Sequence, residues 1–228
     1  MSTAEAQPLN ELTAEAESEW LARFTAGPTE PEGSGLRGGT AAPDLVLSDH
    51  TGTARALSEF WVDQPALLVF WRHFGCGCGM TRAARLLEEL PTYRKAGINT
   101  VIIAQGEPAR AAAYRDHVGL PCTFLCDPAH DAYRAYGLGQ WMVERVLFDA
   151  PAEYWTHPHG LGSQLQDDRR AGGRPLVDDP WRATGEYVIG TDGLVRLTHL
   201  YQHCEDFPEP LVLAAAAQLA EHRAPTTS

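Results

Sequence analysis

The residues best suited to chemistry stand in one run, Phe70-Trp71-Arg72-His73-Phe74-Gly75-Cys76-Gly77-Cys78-Gly79-Met80-Thr81. Two cysteines lie two apart among three glycines, after the apolar stretch Ala66–Trp71 and before a segment of helical spacing. A buried strand that ends in a glycine-rich turn and feeds a helix puts side chains at the carboxyl end of a sheet, where open α/β sheets hold their sites. The start of a helix supplies unpaired N–H donors and the positive end of a dipole, and both favour thiolate over thiol. Cysteines so placed have pKa values lowered from about 8.5 to about 3.5–7.5. The chemistry would be that of a nucleophilic sulfur. The glycines permit backbone angles that other residues resist and let a substrate come close. Arg72 and His73 add candidate positive charge, and strand alternation lets only one of them point the same way as Phe70. The bland alternative is two small buried residues in a tight turn.

The elements that must position this turn follow from periodicity. Ala66–Trp71 and Asn99–Ala104 are continuous apolar runs, as central strands buried on both faces require. Thr81 to Arg94 carries Ala83, Ala84, Leu86, Leu87 and Leu90 at helical spacing. A hairpin is expected from Asp44–Ser48 and the turn after it. Helices are expected over Pro108–His117, Ala129–Tyr136 and Pro208–Arg223, and a third strand over Cys122–Cys126. Glu186–Gly190 and Leu194–His199 flank Thr191-Asp192-Gly193 and read as a β-hairpin. Alternating strands and helices with a terminal hairpin imply an α/β sandwich with a mixed sheet. Residues 1–32 hold seven acidic residues and one basic residue. Leu9, Leu12, Ala16, Trp20 and Phe24 mark an amphipathic arm helix, with Trp20 and Phe24 available to dock on this domain or on a second subunit. GPTEPEGSG reads as a linker. From Gly139 to Thr184 periodicity fails among Trp141, Tyr154, Trp155, His157, His159 and Trp181, which suggests a surface excursion or an insert roofing a site.

A 228-residue chain with 44% hydrophobic and 21% charged residues fits one globular domain with an arm. A net charge of −12 argues against nonspecific nucleic-acid binding. No apolar run approaches the roughly 20 residues of a membrane span, and the first residues do not look like a secretory signal. Five cysteines, an odd number, point to a reducing cytoplasm rather than a disulfide framework. Cys122 and Cys126 would face one side of a strand as buried thiols, about 13 Å apart and beyond disulfide reach. Cys204, just beyond the last hairpin, reads as a loop thiol or a distal resolving cysteine. Metal binding is the rival chemistry: Cys76 and Cys78 with His157, His159, His199 or His203 would suit zinc or copper. The leading reading has no metal and no cofactor. His50, His117, His130 and His222 look like surface histidines.

The motif resembles the peroxiredoxin-like branch of the alkyl hydroperoxide reductase/thiol-specific antioxidant family, which has a thioredoxin fold. The resemblance rests on Phe70-x-Arg72-His73-Phe74-Gly75-Cys76 and runs from about Gly39 to the closing helix. It takes in Ala42-Pro43-Asp44-Leu45, Leu57-Ser58-Glu59-Phe60, Gly119-Leu120-Pro121, Asp127-Pro128, the run Ala132 to Leu138, and the run Gly185 to Gly190 leading into Asp192-Gly193. It implies thiol-dependent reduction of peroxides or related electrophiles through a sulfenic acid on Cys76. Where peroxiredoxins proper carry proline and threonine, this chain has Val69 and His73. Relatives with Cys-x-x-Cys would need a thiol at Gly79, whereas the second thiol here is Cys78. Thr184 occupies the place before the last strand pair where relatives often have proline or arginine. Gly77 lets the Cys76 and Cys78 Cα atoms approach within the roughly 7 Å that a disulfide needs, so Cys78 would resolve the sulfenic acid.

The expected architecture is therefore an α/β thioredoxin-like three-layer sandwich with a mixed central sheet. Residues 1–36 form an acidic arm and linker, and 37–228 form the domain, with an aromatic-rich insert over 139–184. The expected function is that of a cytoplasmic thiol oxidoreductase of peroxidase type. Its catalytic residues would be Cys76, Cys78, Arg72 and His73, with Trp155, Trp181 and Thr184 contacting substrate. Its reductant would be a thioredoxin or a low-molecular-weight thiol, with no nucleic acid or membrane partner and a homodimer left open. The alternatives are a specialised biosynthetic enzyme on the same scaffold and a non-catalytic redox sensor or metal-binding module using Cys76 and Cys78.

Overall fold

A computed structural model describes residues 6–148, 150, 152 and 156–219. Its strands are β1 (Val46–Asp49), β2 (Ala54–Ala56), β3 (Ala66–Phe70), β4 (Asn99–Ala104), β5 (Thr123–Cys126), β6 (Gly185–Ile189) and β7 (Val195–Leu200). They form one mixed sheet in the order β2-β1-β5-β4-β3-β6-β7. β3 pairs in parallel with β4, and β4 with β5, while β1, β6 and β7 join antiparallel. Every residue of the central strand β3 is buried, because both faces of the sheet are covered. Leu67 and Val69 enter one core with Leu86, Leu90 and Phe124, while Leu68 and Phe70 enter the other with Tyr133, Tyr136 and Tyr187. That alternation is the two-residue period of a strand.

The described helices are α1 (Ala6–Ala26), α2 (Gly77–Lys95), α3 (Pro108–Val118), α4 (Asp131–Ala135), α5 (Val143–Val146), α6 (Pro158–Ala171) and α7 (Pro210–Leu219). Helix α2 begins four residues before the expected Thr81, so both Gly77 and Cys78 lie in its first turn. Residues 220–228, which include the expected end of the closing helix and His222, lie outside the described residues.

The reading of 139–184 as lacking periodicity is corrected by α6, a helix of 14 residues. Its sequence PHGLGSQLQDDRRA has Leu161 and Leu165 as its apolar pair and is weakened by two glycines. Such a helix is held by packing rather than propensity. The packing comes from α1: Trp20 and Phe24 are buried with Leu147, Leu161, Leu176 and Trp181 in a third apolar cluster. Glu17 takes a hydrogen bond from Arg170, and its carbonyl accepts one from the Gln166 amide. The arm therefore docks on its own chain. Its linker is tied down as well: Gly139 N–H donates to the Glu32 carbonyl and Gln140 N–H to that of Pro31. A Cβ at Gly139 would fall 1.8 Å from the Pro31 carbonyl oxygen, so only glycine allows these two backbones to cross here.

Candidate active site

β3 ends at Phe70, and Cys76 caps α2 in an extended conformation (φ −68°, ψ 134°). The Cys76 N–H donates to the His73 carbonyl, and the Cys76 carbonyl accepts from Gly79 N–H, so the turn is closed by its own backbone. Cys76 and Cys78 are joined by a disulfide across Gly77, with Cα atoms 5.4 Å apart. None of Gly75, Gly77 and Gly79 has a positive φ, so these glycines supply room rather than unusual backbone angles. A Cβ at Gly75 would meet the Leu176 side chain at 2.3 Å, and one at Gly79 would meet the Tyr114 hydroxyl at 2.8 Å.

Above the disulfide lies a cavity of about 220 Å³. Trp20 and Phe24 of the arm, Leu147, Leu161 and Leu165 of the insert, and Leu176 wall it, while Cys76, Cys204, Arg72, His73 and Arg169 bring the polar atoms. A larger surface hollow of about 1080 Å³ runs along Leu194, Leu197, Leu211 and Val212. Its lining charges, Asp192 and Arg196, pair with each other at 2.6 Å, and no thiol faces it.

Both Arg72 and His73 line the cavity, which corrects the alternation argument: the strand has ended before either residue, so its period no longer governs them. The charge expected of His73 is corrected too. Burial, and then the positive charges of Arg72, Arg169, Arg110 and Arg174, hold its pKa well below the ordinary value, so the imidazole is neutral. Its Nδ1 is buried without a hydrogen-bond partner among the described residues. Arg72 is anchored: its guanidinium donates to the Arg182 and Pro180 carbonyls at 3.0 and 2.9 Å and lies 4.9 Å over the Trp141 ring. It thus clamps the return of the insert to the cysteine turn. Arg110 does the same from α3 through a two-pronged pair with Asp178 at 2.9 and 2.7 Å, and Asp178 in turn accepts from the Phe74 N–H.

Arg169 is a site residue that sequence reasoning missed. Its guanidinium stands 3.3 Å from where a Gly77 Cβ would be, and no acidic side chain pairs with it among the described residues. Burial and the neighbouring Arg174 charge pull its pKa down from the usual value. Only its place on a helix, 91 positions beyond Cys78 and invisible to periodicity, brings it to the thiols.

Of the expected substrate contacts, Trp155 lies outside the described residues. Trp181 is buried but does not line the cavity: it stacks on Phe24 at 5.1 Å and donates its indole N–H to the Arg23 carbonyl. It supports the wall from behind, because the docked arm takes the position facing the cavity. Thr184 is 1% exposed and also lies off the cavity. Its carbonyl accepts from the Tyr201 N–H, and its hydroxyl is buried without a partner.

The other thiols separate by environment. Cys122 and Cys126 are buried in the core, and desolvation pushes both up to about 11. Cys204 belongs to the site: its sulfur and those of Cys76 and Cys78 all lie within 4.8 Å of one another. No histidine joins that group among the described residues. His157 is exposed at the start of α6, and the side chain of His159 is outside the described residues. His199 pairs with Asp206, and His203 stacks on Phe148. His130 is no ordinary surface histidine. It is half-buried between Gln105 and Arg182, and burial, then the Arg182 charge, push it down to about 4.

The disulfide stands at the head of the helix that follows the central strand, on a mixed thioredoxin-like sheet. The chain belongs to the AhpC/TSA family, whose model matches residues 39–155. It is similar to the thioredoxin-like protein AAED1, chloroplastic, of Arabidopsis thaliana, 32% identical over 105 residues, which cover 45% of this chain and 42% of that protein. It is also similar to the thiol-disulfide oxidoreductase ResA of Geobacillus thermodenitrificans, 30% identical over 103 residues, covering 44% and 58%. The chain thus spans less than two thirds of either relative. The peroxidoxin BcpB from Mycobacterium tuberculosis has a similar structure, with a TM-score of 0.58 at 15% identity, covering 81% of this chain and 97% of that one. So does peroxiredoxin 6 of Arenicola marina, with 0.60 at 12% identity over 85% and 80%. These two likenesses bear on the fold alone. No helix among the described residues is long and apolar enough to cross a membrane.

Proposed function

We propose that this protein is a cytoplasmic peroxidase-like thiol oxidoreductase in which Cys76 is the nucleophile and Cys78 the resolving thiol. The observation that carries this reading is the Cys76–Cys78 disulfide at the start of α2, opening on an apolar cavity beside a neutral imidazole whose Nδ1 has no hydrogen-bond partner among the described residues. The Cys76 thiolate attacks one oxygen of a peroxide; the O–O bond breaks and the alkoxide leaves with a proton. Cys76 is oxidised to sulfenic acid, and Cys78 displaces its oxygen as water to close the disulfide. A thioredoxin or a low-molecular-weight thiol then returns two electrons by thiol–disulfide exchange. The helix N-terminus and the guanidinium of Arg169 favour the thiolate, and the neutral imidazole of His73 lies in the cavity wall where it can hydrogen-bond a bound peroxide, while the leaving alkoxide takes its proton from water. The cavity is smaller than the roughly 300–1,000 Å³ of drug-sized ligand sites, which suits a small electrophile.

The test is mass spectrometry of every thiol after one equivalent of peroxide, followed by turnover with a thiol reductant. Wild type should lose two thiols, both in the Cys76–Cys78 peptide, with no dimer on a non-reducing gel. Cys78→Ser should accumulate Cys76 as sulfenic acid or as a mixed disulfide. Full-rate turnover by Cys78→Ser would remove Cys78 from the cycle. The apolar walls also favour a second reading, a biosynthetic enzyme on this scaffold; a small organic molecule retained in the cavity of the purified protein would support it over peroxide reduction.

A further inference from the structure

Cys204 reaches the disulfide from a distant part of the chain. It sits in the loop between β7 and α7, partly buried, with its thiol donating to the Val146 carbonyl at 3.8 Å. It lines the apolar cavity together with Cys76, and a second, smaller recess together with Cys78 and Arg82. Tyr201 and Phe207 hold its loop on either side: the Tyr201 hydroxyl bonds Glu186, and Phe207 packs under the guanidinium of Arg82. Three sulfurs from two remote segments therefore converge within 4.8 Å of one another.

We propose that the reduced protein binds one cuprous ion on the thiolates of Cys76, Cys78 and Cys204. A metal–sulfur bond of about 2.3 Å places three sulfurs about 4 Å apart around an ion in their plane, within the separation seen here. Thiolates select soft cations, of which copper(I) is the one best served by sulfur alone. Structural zinc takes four ligands, and no histidine or carboxylate completes a fourth corner among the described residues. Three thiolates and one monovalent cation leave a charge of −2 in a half-buried place. Arg169, unpaired with any described acid, and Arg72, whose Nε is buried without a partner, offset that charge. Binding forms three Cu–S bonds, one to the Cys76 thiolate and two to Cys78 and Cys204, whose S–H bonds break with release of two protons, and no electron is transferred. The disulfide must first be opened by two electrons from an external thiol. Copper and the disulfide thus exclude each other, and the metal withholds Cys76 from any electrophile.

The test uses the full chain, reduced with dithiothreitol, desalted without oxygen and titrated with copper(I) against the chelator bicinchoninate. One equivalent should bind, with three sulfur neighbours in the copper X-ray absorption spectrum. Cys204→Ser should weaken binding by at least about 100-fold, since even the loss of a group that only orients a metal ligand costs 10–100-fold. That variant should keep the wild-type circular dichroism and still lose two thiols on oxidation, which separates loss of the site from loss of the fold. Cys122→Ser should bind copper as wild type does. Equal affinity in Cys204→Ser, a spectrum with only two sulfurs, or displacement of copper by an equivalent of zinc would overturn the proposal.

Discussion

Cys76 and Cys78 stand two apart at the head of a helix, whereas Cys122 and Cys126 flank and end a strand. The first pair shares its surroundings with N–H donors, Arg72, Arg169 and a cavity. The second belongs to the core that holds Leu86, Leu90, Tyr93 and Phe124, where the cost of desolvating a thiolate outweighs the arginine charges of Arg94, Arg115 and Arg82 near Cys122. Desolvation accordingly raises both strand thiols to about 11. Identical side chains form a disulfide in one place and buried free thiols in the other. What differs is the solvation of the thiolate, not the intrinsic chemistry of sulfur.

The strongest way to break this contrast is to exchange the roles. Cys76→Ser should lower turnover on the order of 10³-fold or more, the scale of losing a covalent nucleophile. Cys122→Ser should stay within about twofold, because its sulfur touches no reacting atom. A Cys122→Ser enzyme as inactive as Cys76→Ser, yet folded, would abolish the distinction.

Alkylation sharpens it without mutation. At pH 7 a thiol with a pKa of about 11 is ionised to only about one part in 10⁴. Iodoacetamide should therefore label Cys76 in the reduced native protein at least about 10³ times faster than Cys122 or Cys126, read peptide by peptide. Rates within tenfold of one another would mean that the helix start does not activate its thiol.

The strand thiols should also report through stability. Their pKa values are raised on folding, so their contribution is complete below the unfolded value near 9 and is lost as pH rises toward about 11. Each should contribute up to about 3 kcal/mol of that loss. Buried tyrosines such as Tyr114, pushed up to about 12 by desolvation, act in the same direction. The useful measurement is thus the difference between wild type and Cys122→Ala/Cys126→Ala in urea unfolding at pH 8 and pH 10.5. The double variant should show the shallower fall; parallel falls would mean that the two thiols remain hydrated.

The smallest effect concerns Arg169. It is only partly buried and offers one guanidinium near the turn. Arg169→Ala should slow alkylation of Cys76 by about two- to fivefold, the scale of a partly screened charge of below 1 kcal/mol. No change at low salt would assign Arg169 to the cavity wall alone.

The amino-acid sequence by itself determined the local elements and the cysteine turn. β3 and β4 carry their signal as apolar runs of 5 and 6 residues and α2 and α3 within 19 and 11 residues, and burial of one face, or of both in a strand, is a local property of the pattern. The Cys76–Gly77–Cys78 run, its place after a central strand and the family it resembles were legible for the same reason. Tertiary structure alone decided what stands around that turn. Helix α6, with its two glycines and short apolar stripe, exists by packing on α1, so neither its presence nor the approach of Arg169 had a local signal. The acidic arm, legible as a helix, became a cavity wall only when Trp20 and Phe24 met Leu161 and Leu176. His73 read as a candidate cation, yet burial among four arginines makes it neutral. Cys204 lies 126 positions beyond Cys78 and joins it because β7 and the loop after it return to the edge of the same site. Periodicity encodes which side of an element is buried; only the packing of remote elements fixes which groups meet, and therefore which charges, thiols and voids share one place.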